Sequence, residues 1–264
     1  MCACTCGKWR AGDQTAKLWN VKDGQCYFTY ELDAPCRASA FSVCETMALI
    51  SSDAFMGSTP AISLVNIAAD PAEQTGEVVR TYTGFTGRIS RVTWGRLNKY
   101  IISAGEDGIV RKWDVETGKV IAQSDEHTKM VMSMEMSSDR THFVTASKDC
   151  TAKLWDPDTL QVLKTYKTER PVNAAYISPL FDHVVLGGGQ DASQVTTTSS
   201  RAGGFQARFF HKVLEREFAS VKGHFGPINT IAITPDGRSY ASGGEEGYIR
   251  LHHFDPEYFV RGYE

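Results

Sequence analysis

Apolar and polar residues alternate along this chain in many short runs. The runs at residues 100–104 and 119–121 are examples, and such alternation is typical of β-strands, in which successive side chains point to opposite faces. The first run is followed by residues 105–108, whose Asp-Gly pair favours a hairpin turn. No segment has helical periodicity of useful length. The pattern therefore predicts an all-β chain built from short antiparallel strands.

One tryptophan-centred segment recurs with an acidic residue in front of it. AKLWN at 16–20, VRKWD at 110–114 and AKLWD at 152–156 each follow an aspartate that lies six residues before the tryptophan. These pairs are Asp13 and Trp19, Asp107 and Trp113, and Asp149 and Trp155. Weaker copies end near Val65, Phe210 and His252, so the six anchor residues are 46, 48, 42, 55 and 42 residues apart.

A second marker lies 28 residues before the anchor. His127 precedes Trp155 by this distance, His224 precedes His252, and Phe85 precedes Trp113. Two markers in register define a repeat of four strands, which is the WD40 repeat and one blade of a β-propeller. We expect a single WD40 propeller domain over 1–264. Its parts are an atypical N-terminus at 1–11, a partial blade at 12–31, and blades at 32–83, 84–124, 125–167, 168–220 with a polar insertion at 194–204, and 221–264.

Polar residues at fixed positions of each repeat predict a buried network of aspartate, histidine, hydroxyl and tryptophan side chains. Such a network is favourable only when every member has a partner. The repeat at 125–167 supplies the whole set, whereas Phe85 replaces the histidine in the preceding repeat, whose network we expect to be incomplete. The last repeat has a variant set. The expected members are His127, Thr145, Asp149 and Trp155; Ser103, Asp107 and Trp113; Asp13 and Trp19; and His224, Ser242, Glu246 and His252.

Composition and charge exclude several other classes of protein. With 42% hydrophobic and 22% charged residues the chain has the composition of a folded globular protein. The 28 Lys and Arg nearly balance the 31 Asp and Glu, so the charge pattern of a dedicated nucleic-acid binder is absent. No apolar run suits a membrane helix or a signal peptide, and seven cysteines without paired spacing do not suggest a secreted disulfide framework. We expect a cytoplasmic protein without a membrane contact.

Two motifs could carry other chemistry. Cys2, Cys4 and Cys6 offer thiolates that suit zinc or copper, but the second cysteine pair of a structural zinc site is missing, and we expect a frayed terminus instead. Residues 186–192 (LGGGQDA) have the spacing of a dinucleotide-binding loop, but a polar, β-prone stretch follows where that loop needs a helix. We expect these glycines in the turn between two middle strands of a blade. No cofactor, metal, small-molecule ligand or catalytic residue is predicted.

Several stretches resemble one particular family. They are FVTASKD at 143–149, TERPVN at 168–173, DHVVLGGGQ at 182–190, VTTTS at 195–199, ARFFH at 207–211, VKGHFGPIN at 221–229 and SYASGGEEGY at 239–248. These stretches are similar to the WD40 subunit i of eukaryotic translation initiation factor three, and the similarity extends from about residue 87 to 259. Proteins of that family resemble a seven-bladed ring. We therefore expect about five and a half blades here, with roughly 60 residues missing at the front and a ring that is open if nothing else closes it.

The resemblance implies a non-catalytic scaffold subunit that supports preinitiation-complex assembly and mRNA recruitment. It implies docking of the helical C-terminal tail of subunit b, contact with subunit g, and a link to the small ribosomal subunit through the complex. Exposed charged and aromatic positions of the later blades are the expected contacts: Glu169, Arg170, Asp191, Arg208, Phe210, Glu215 and Glu217. Two alternatives are a general WD40 adaptor, such as a signalling scaffold or a ubiquitin-ligase substrate receptor, and an enzyme that uses the glycine loop.

Overall fold

The computed structural model describes residues 14–189 and 204–260, together with the backbone of residues 2–5. These residues form 22 strands in six antiparallel sheets, two short 3₁₀ turns at Pro71–Glu73 and Arg96–Asn98, and one short helix, α1 (Pro256–Val260). The all-β prediction is confirmed. The chain divides into two compact units, one made of Met1–Val131 and Pro157–Leu160 and the other of Met132–Asp156 and Gln161–Glu264.

Unit 1 contains the first three sheets, and in each of them strands that follow one another in sequence are paired. Sheet 1 has β1 (Cys2–Thr5), β2 (Thr15–Asn20) and β3 (Cys26–Glu31). Sheet 2 has β4 (Cys36–Phe41), β5 (Met47–Ser52), β6 (Ala61–Asn66) and β7 (Val78–Tyr82). Sheet 3 has β8 (Ile89–Trp94), β9 (Tyr100–Gly105), β10 (Val110–Asp114) and β11 (Val120–Ser124).

Unit 2 contains the other three sheets, with the same neighbour-to-neighbour pairing. Sheet 4 has β12 (Val131–Met136), β13 (Phe143–Ser147), β14 (Thr151–Trp155) and β15 (Val162–Lys167). Sheet 5 has β16 (Val172–Ile177), β17 (His183–Gly188), β18 (Gln206–His211) and β19 (Glu217–Lys222). Sheet 6 has β20 (Ile228–Ile233), β21 (Ser239–Gly244) and β22 (Ile249–His253).

Within each unit the sheets pack face to face through apolar cores. In unit 1, Leu18 and Tyr30 of sheet 1 pack in one core with Ile50 of sheet 2. The other face of sheet 2 packs against sheet 3 in a second core. In unit 2, sheet 5 is likewise covered on both faces, and all of β17 except Gly188 is therefore buried. Each fully buried Ile, Leu or Phe side chain contributes about 1.5–3 kcal/mol. Face-to-face stacking of small four-stranded sheets confirms the WD40 β-propeller fold class.

The anchor residues found in the sequence mark an irregularity that five sheets share. Where the anchor strand pairs with the strand that follows it in the chain, the register shifts at the anchor, as between Lys112 and Trp113 and between Leu154 and Trp155. The same shift lies at Trp19, Val65 and Phe210. A bulge bends the strand and increases its twist. The sequence repeat therefore coincides with a repeated β-bulge.

Three features differ from the sequence-based predictions. Cys2–Thr5, expected to be frayed, is the strand β1, and its backbone pairs with β2 with Cys2 opposite Asn20. Cys36, at the start of β4, is disulfide-bonded, a bond that the sequence did not predict, whereas Cys26, Cys44 and Cys150 carry free thiols. β19 ends at Lys222, two residues beyond the predicted blade boundary.

Candidate functional site

The polar side chains of sheet 3 form two separate groups, and histidine is missing from the position expected to connect them. The indole N–H of Trp113 donates to Ser103 Oγ at 2.8 Å, and both side chains are buried. Asp107 Oδ2 accepts from Arg111 at 2.7 Å and from Thr86 Oγ1 at 3.0 Å. Arginine and threonine thus replace the absent histidine as partners of the carboxylate. Among the described residues no hydrogen bond links Asp107 to Ser103 or Trp113, and the sequence pattern did not show the side chain of Arg111 reaching back to Asp107.

Phe85 fills the histidine position of sheet 3 with an apolar ring. Its centroid lies 5.0 Å from that of Trp113, and the guanidinium of Arg111 lies 5.7 Å from its centre. A cation over an aromatic face is favourable, more so when both are shielded from water. Phe85 therefore packs between Trp113 and Arg111 and contributes to the core.

In sheet 4, Trp155 makes the same contact as Trp113 in sheet 3. Its indole N–H donates to Thr145 Oγ1 at 2.8 Å, and both residues are fully buried. Asp149 accepts from the backbone N–H and the hydroxyl of Thr151 at 2.9 and 2.6 Å, which shapes the turn between β13 and β14. His127 is buried as well, with 3% of its surface exposed. These polar side chains lie in the interior, where they hold strands together.

In sheet 6, His224 connects two other members of the expected network. Its Nδ1 lies 2.7 Å from Glu246 Oε1, and its Nε2 lies 2.7 Å from Ser242 Oγ. His252 stands where sheets 1, 3 and 4 have tryptophan, and its ring stacks on Tyr240 with 4.6 Å between centroids. Among the described residues, no hydrogen bond joins His252 to Ser242. The sheet therefore keeps three members of the set, and stacking replaces the fourth contact.

The first partial repeat offers only one described member. Trp19 is half-buried in β2, opposite Cys26 of β3. Asp13 lies outside the described residues.

A set of tyrosine contacts was missed by the sequence analysis. Within unit 1, Tyr30 Oη accepts from Gln74 at 3.1 Å, Tyr82 donates to Val115 O at 3.4 Å, and Tyr100 donates to Asp158 at 3.0 Å. Within unit 2, Tyr166 donates to Lys212 O at 2.7 Å. The hydroxyls of Tyr30, Tyr82 and Tyr166 each reach the segment that follows the third strand of the next sheet. Tyr30 and Tyr166 each lie 11 residues after their anchor tryptophan, a signal that could have revealed two of them.

The predicted partner-binding residues occupy different environments. Glu169, Glu215 and Glu217 are exposed, and Arg170 and Arg208 are half-buried. Phe210 is 4% exposed and packs against Tyr166 in the core between sheets 4 and 5, so its prediction as an exposed contact was wrong. Phe210 is buried, like its neighbour Phe209, because both faces of sheet 5 are covered. Asp191 and the predicted insertion up to residue 203 lie outside the described residues.

Two of the exposed glutamates, Glu215 and Glu217, belong to the outer edge of sheet 5, whereas Glu169 lies in the segment before β16, the strand at the opposite edge. Glu217 begins β19, the edge strand, and its carboxylate lies 3.6 Å from Arg208 on β18. Glu215, in the preceding turn, lies 3.3 Å from Lys164 of sheet 4. Ion pairs this exposed contribute less than about 1 kcal/mol. The edge can therefore exchange its ion pairs for those of a partner at little cost in stability.

The glycines at 187–189 serve packing. Gly187 and Gly188 lie within β17, not in the turn that the sequence predicted. A methyl group on Gly187 would lie 2.6 Å from Ile231 and 2.7 Å from Ile228, and one on Gly188 would lie 2.1 Å from Pro171 O. The space beside these glycines is about 20 Å³, room for one water molecule. Close approach of sheet 6 and of the chain at Pro171 therefore accounts for both residues.

The described residues lack a metal-binding cluster and a membrane-spanning helix. In that part of the chain no group of three His, Cys, Asp or Glu side chains could hold a metal ion. No helix there has the length and apolar character needed to cross a bilayer. The thiols of Cys2, Cys4 and Cys6 lie outside the description.

Comparison with known proteins confirms the resemblance seen in the sequence. A protein-family model described as EIF3I matches residues 4–264. The chain belongs to the EIF3I family. A relative from Drosophila willistoni, named eukaryotic translation initiation factor 3 subunit I, is 48% identical over 257 residues, which cover 96% of this chain and 79% of the relative.

Two further relatives with that name agree with this membership. The Bombyx mori protein is 47% identical over 249 residues, which cover 94% of this chain and 76% of the relative. The Drosophila melanogaster protein is 47% identical over 256 residues, covering 96% and 78%. Their names place these EIF3I relatives among translation initiation factors.

Proposed function

We propose that this chain acts in translation initiation as a non-catalytic scaffold subunit of initiation factor 3. In this role it supports assembly of the preinitiation complex and recruitment of mRNA in the cytoplasm. The observation that carries the proposal is 48% identity to an initiation factor 3 subunit I over 96% of the chain. The proposed function is the binding of partner proteins and not the conversion of a substrate.

The placement of polar residues supports a scaffold. Catalysis needs reactive groups that a substrate can reach. Here Ser103, Thr145, His127 and His224 are all at most 9% exposed. Ser103, Thr145 and His224 form hydrogen bonds that join strands or turns within a sheet. These histidine and hydroxyl side chains are of types that occur in catalytic sites, but here they stabilise the sheets.

The proposed partners are other subunits of the factor. We place the C-terminal tail of subunit b on sheet 5, at Glu169 and Arg170 before β16 and at Arg208, Glu215 and Glu217 toward the outer edge, and expect contact with subunit g as well. The small ribosomal subunit is reached through the complex. Support comes from the exposure of the three glutamates and from the free edge of β19. Carboxylates on such an edge favour a tail with basic residues.

A capture experiment tests the proposal. The tagged chain is incubated with cytosolic extract, and retained proteins are identified by mass spectrometry. We expect the other subunits of initiation factor 3 among them. If none is retained and unrelated proteins are, the general WD40 adaptor becomes the better description.

Charge reversal tests the place of the contact. Glu215→Lys combined with Glu217→Lys should reduce retention of subunit b at least fivefold, because both changes place positive charge on the proposed edge. Glu116→Lys is the matched control, since Glu116 is an exposed glutamate in the turn before β11 of unit 1. Retention that is equal in the three proteins would reject the sheet 5 edge and leave the proposed role in the factor standing.

A further inference from the structure

A groove opens in unit 1 between the edge strand β3 and the strands β6 and β7. Its volume is about 300 Å³. Its apolar lining comes from Phe28, Tyr30, Leu32, Ile50, Val65 and Val78. All of these residues belong to sheets 1 and 2 or to the ends of their strands. The groove belongs to unit 1, and the inference about it does not depend on the function proposed for the sheet 5 edge.

The floor of the groove is a solid apolar core. Tyr30, Ile50 and Val65 are each at most 3% exposed and pack in one cluster. The walls are more open, since Phe28 is half-buried and Val78 is 45% exposed. An apolar side chain that entered the groove would exchange water for contact with these groups, which contributes about 25 cal/mol for each Å² buried.

One wall is fixed before anything binds. Gln74 accepts from the backbone N–H of Ala68 at 2.8 Å and donates to Asn66 O at 2.9 Å and to Tyr30 Oη at 3.1 Å. These bonds fold the segment between β6 and β7 against sheet 1 and hold Gly76 beside the ring of Phe28. A preformed wall lowers the ordering cost of binding.

The rim of the groove is acidic. The two chain segments that form it, residues 26–36 and 66–79, contain five carboxylates and neither Lys nor Arg. All five side chains are exposed: Glu31, Asp33, Asp70, Glu73 and Glu77. Glu31 itself lines the groove, and Glu77 lies between Gly76 and Val78, which both line it. Such a rim repels nucleic acid and attracts a basic partner.

The strand on one side of the groove also has a free backbone edge. β3 is the last strand of sheet 1 and pairs with β2 alone in the described part of the chain. An exposed edge can receive an extended segment of another chain through main-chain hydrogen bonds, while its side chains enter neighbouring pockets. The six residues of β3 set the length of segment that can pair.

We propose that this groove is a docking site for an extended segment of a partner protein in which lysines or arginines flank apolar side chains. The apolar side chains occupy the space above Tyr30, Ile50 and Val65. The basic residues face Glu31 and Glu77 on the rim. The apolar lining, the acidic rim and the edge of β3 together select this occupant over an acidic peptide or a nucleic acid.

The test uses the full chain and a labelled synthetic peptide of seven residues with alternating lysine and leucine. Binding is measured by fluorescence anisotropy. We expect saturable binding that weakens with added salt, and at least tenfold weaker binding after Glu31→Lys combined with Glu77→Lys. Val78→Asp should weaken it similarly through the apolar wall. Val120→Asp is the matched control, because Val120 is a similarly exposed valine (43%) on the outer strand β11, outside the groove.

A second measurement on the unmodified chain guards against variants that fold poorly. Hydrogen exchange should show added protection of amides in β3 and β7 when the peptide is bound. The proposal is overturned if the groove variants bind like the unmodified chain and the protected amides lie elsewhere. It is also overturned if a peptide with glutamate in place of lysine binds equally well, or if single-stranded RNA displaces the basic peptide and protects the same amides.

Discussion

Arg111 donates to Asp107 at 2.7 Å in the sheet whose loop carries Phe85 at the position that His224 has in sheet 6. Both side chains of the pair are less than 15% exposed. The two sheets therefore satisfy a buried carboxylate in different ways, one through an arginine on the third strand and the other through a histidine in the loop. The position of the partner residue differs between these two sheets, but in both of them the carboxylate lies beside a buried cation or donor.

Arg111→Met should destabilise the protein strongly. The change leaves Asp107 largely buried without its cation, and breaking a buried ion pair from one side costs about 3–5 kcal/mol. Unfolding in urea, followed by circular dichroism, gives the free energy. Arg88→Met is the control, because Arg88 and Glu106 are half-exposed and 3.8 Å apart, and an exposed pair contributes less than about 1 kcal/mol. Equal losses in both variants would contradict the buried role of Arg111.

Tyr166→Phe should cost about 1 kcal/mol, the usual net contribution of one hydrogen bond. The variant removes the hydroxyl that donates to Lys212 O and keeps the ring in the core beside Phe210. Thermal unfolding of the two proteins measures the loss. Tyr248→Phe, at a tyrosine that is 66% exposed, should leave the midpoint unchanged. A similar midpoint for wild type and Tyr166→Phe would mean that the ring alone accounts for this tyrosine.

Gly187→Ala should destabilise sheets 5 and 6. The added methyl group would lie less than 3 Å from Ile228 and Ile231, and such overpacking costs about 1–3 kcal/mol. Gly226→Ala is the matched change, because its nearest neighbour would lie at an ordinary 3.6 Å. The denaturant midpoints of the two variants measure this difference in stability. If Gly187→Ala is as stable as Gly226→Ala, close packing does not require this glycine.

His183 should make the protein less stable in mild acid. Burial, followed by the nearby His211, lowers the pKa of His183 to about 4, and Asp182 opposes this shift in part. Its ring also meets Tyr258 Oη at 2.7 Å and Phe218. In the unfolded chain a histidine has a pKa of about 6.5. The unfolded state therefore binds more protons between these values, and stability is complete above pH ~6.5 and falls as the pH drops toward 4.

The variant His183→Phe isolates this effect from other groups. Burial also lowers the pKa of His252, which adds to the loss in acid, and Lys212 lowers that of Asp182. The free energy of unfolding, measured from pH 7 to pH 4, should therefore fall less steeply in His183→Phe than in the wild type. Parallel curves would show that His183 titrates normally in the folded protein.

The sequence revealed the organisation of the candidate sites only in part. It identified Trp113 with Ser103, and Trp155 with Thr145, because spacing in a repeat fixes which strand positions lie opposite each other. It did not identify Arg111 as the partner of Asp107, nor Gln74 as the residue that holds the segment between β6 and β7 against sheet 1. These long side chains reach partners through rotamers that no spacing specifies.

The sequence by itself determined the repeat, the all-β class, the anchor strands and the family, because strand alternation, Asp-Gly turns and repeated side chains are local patterns. Only the tertiary structure decided which apolar residues are exposed. Both faces of an inner sheet are buried, so Phe210 is a core residue, whereas Val78 on an outer strand is exposed. The tertiary structure also decided that Gly187 packs against sheet 6 and that a groove separates β3 from β6 and β7. The distance between two neighbouring sheets depends on the side chains of both sheets. The residue pattern of a single strand therefore does not determine that distance.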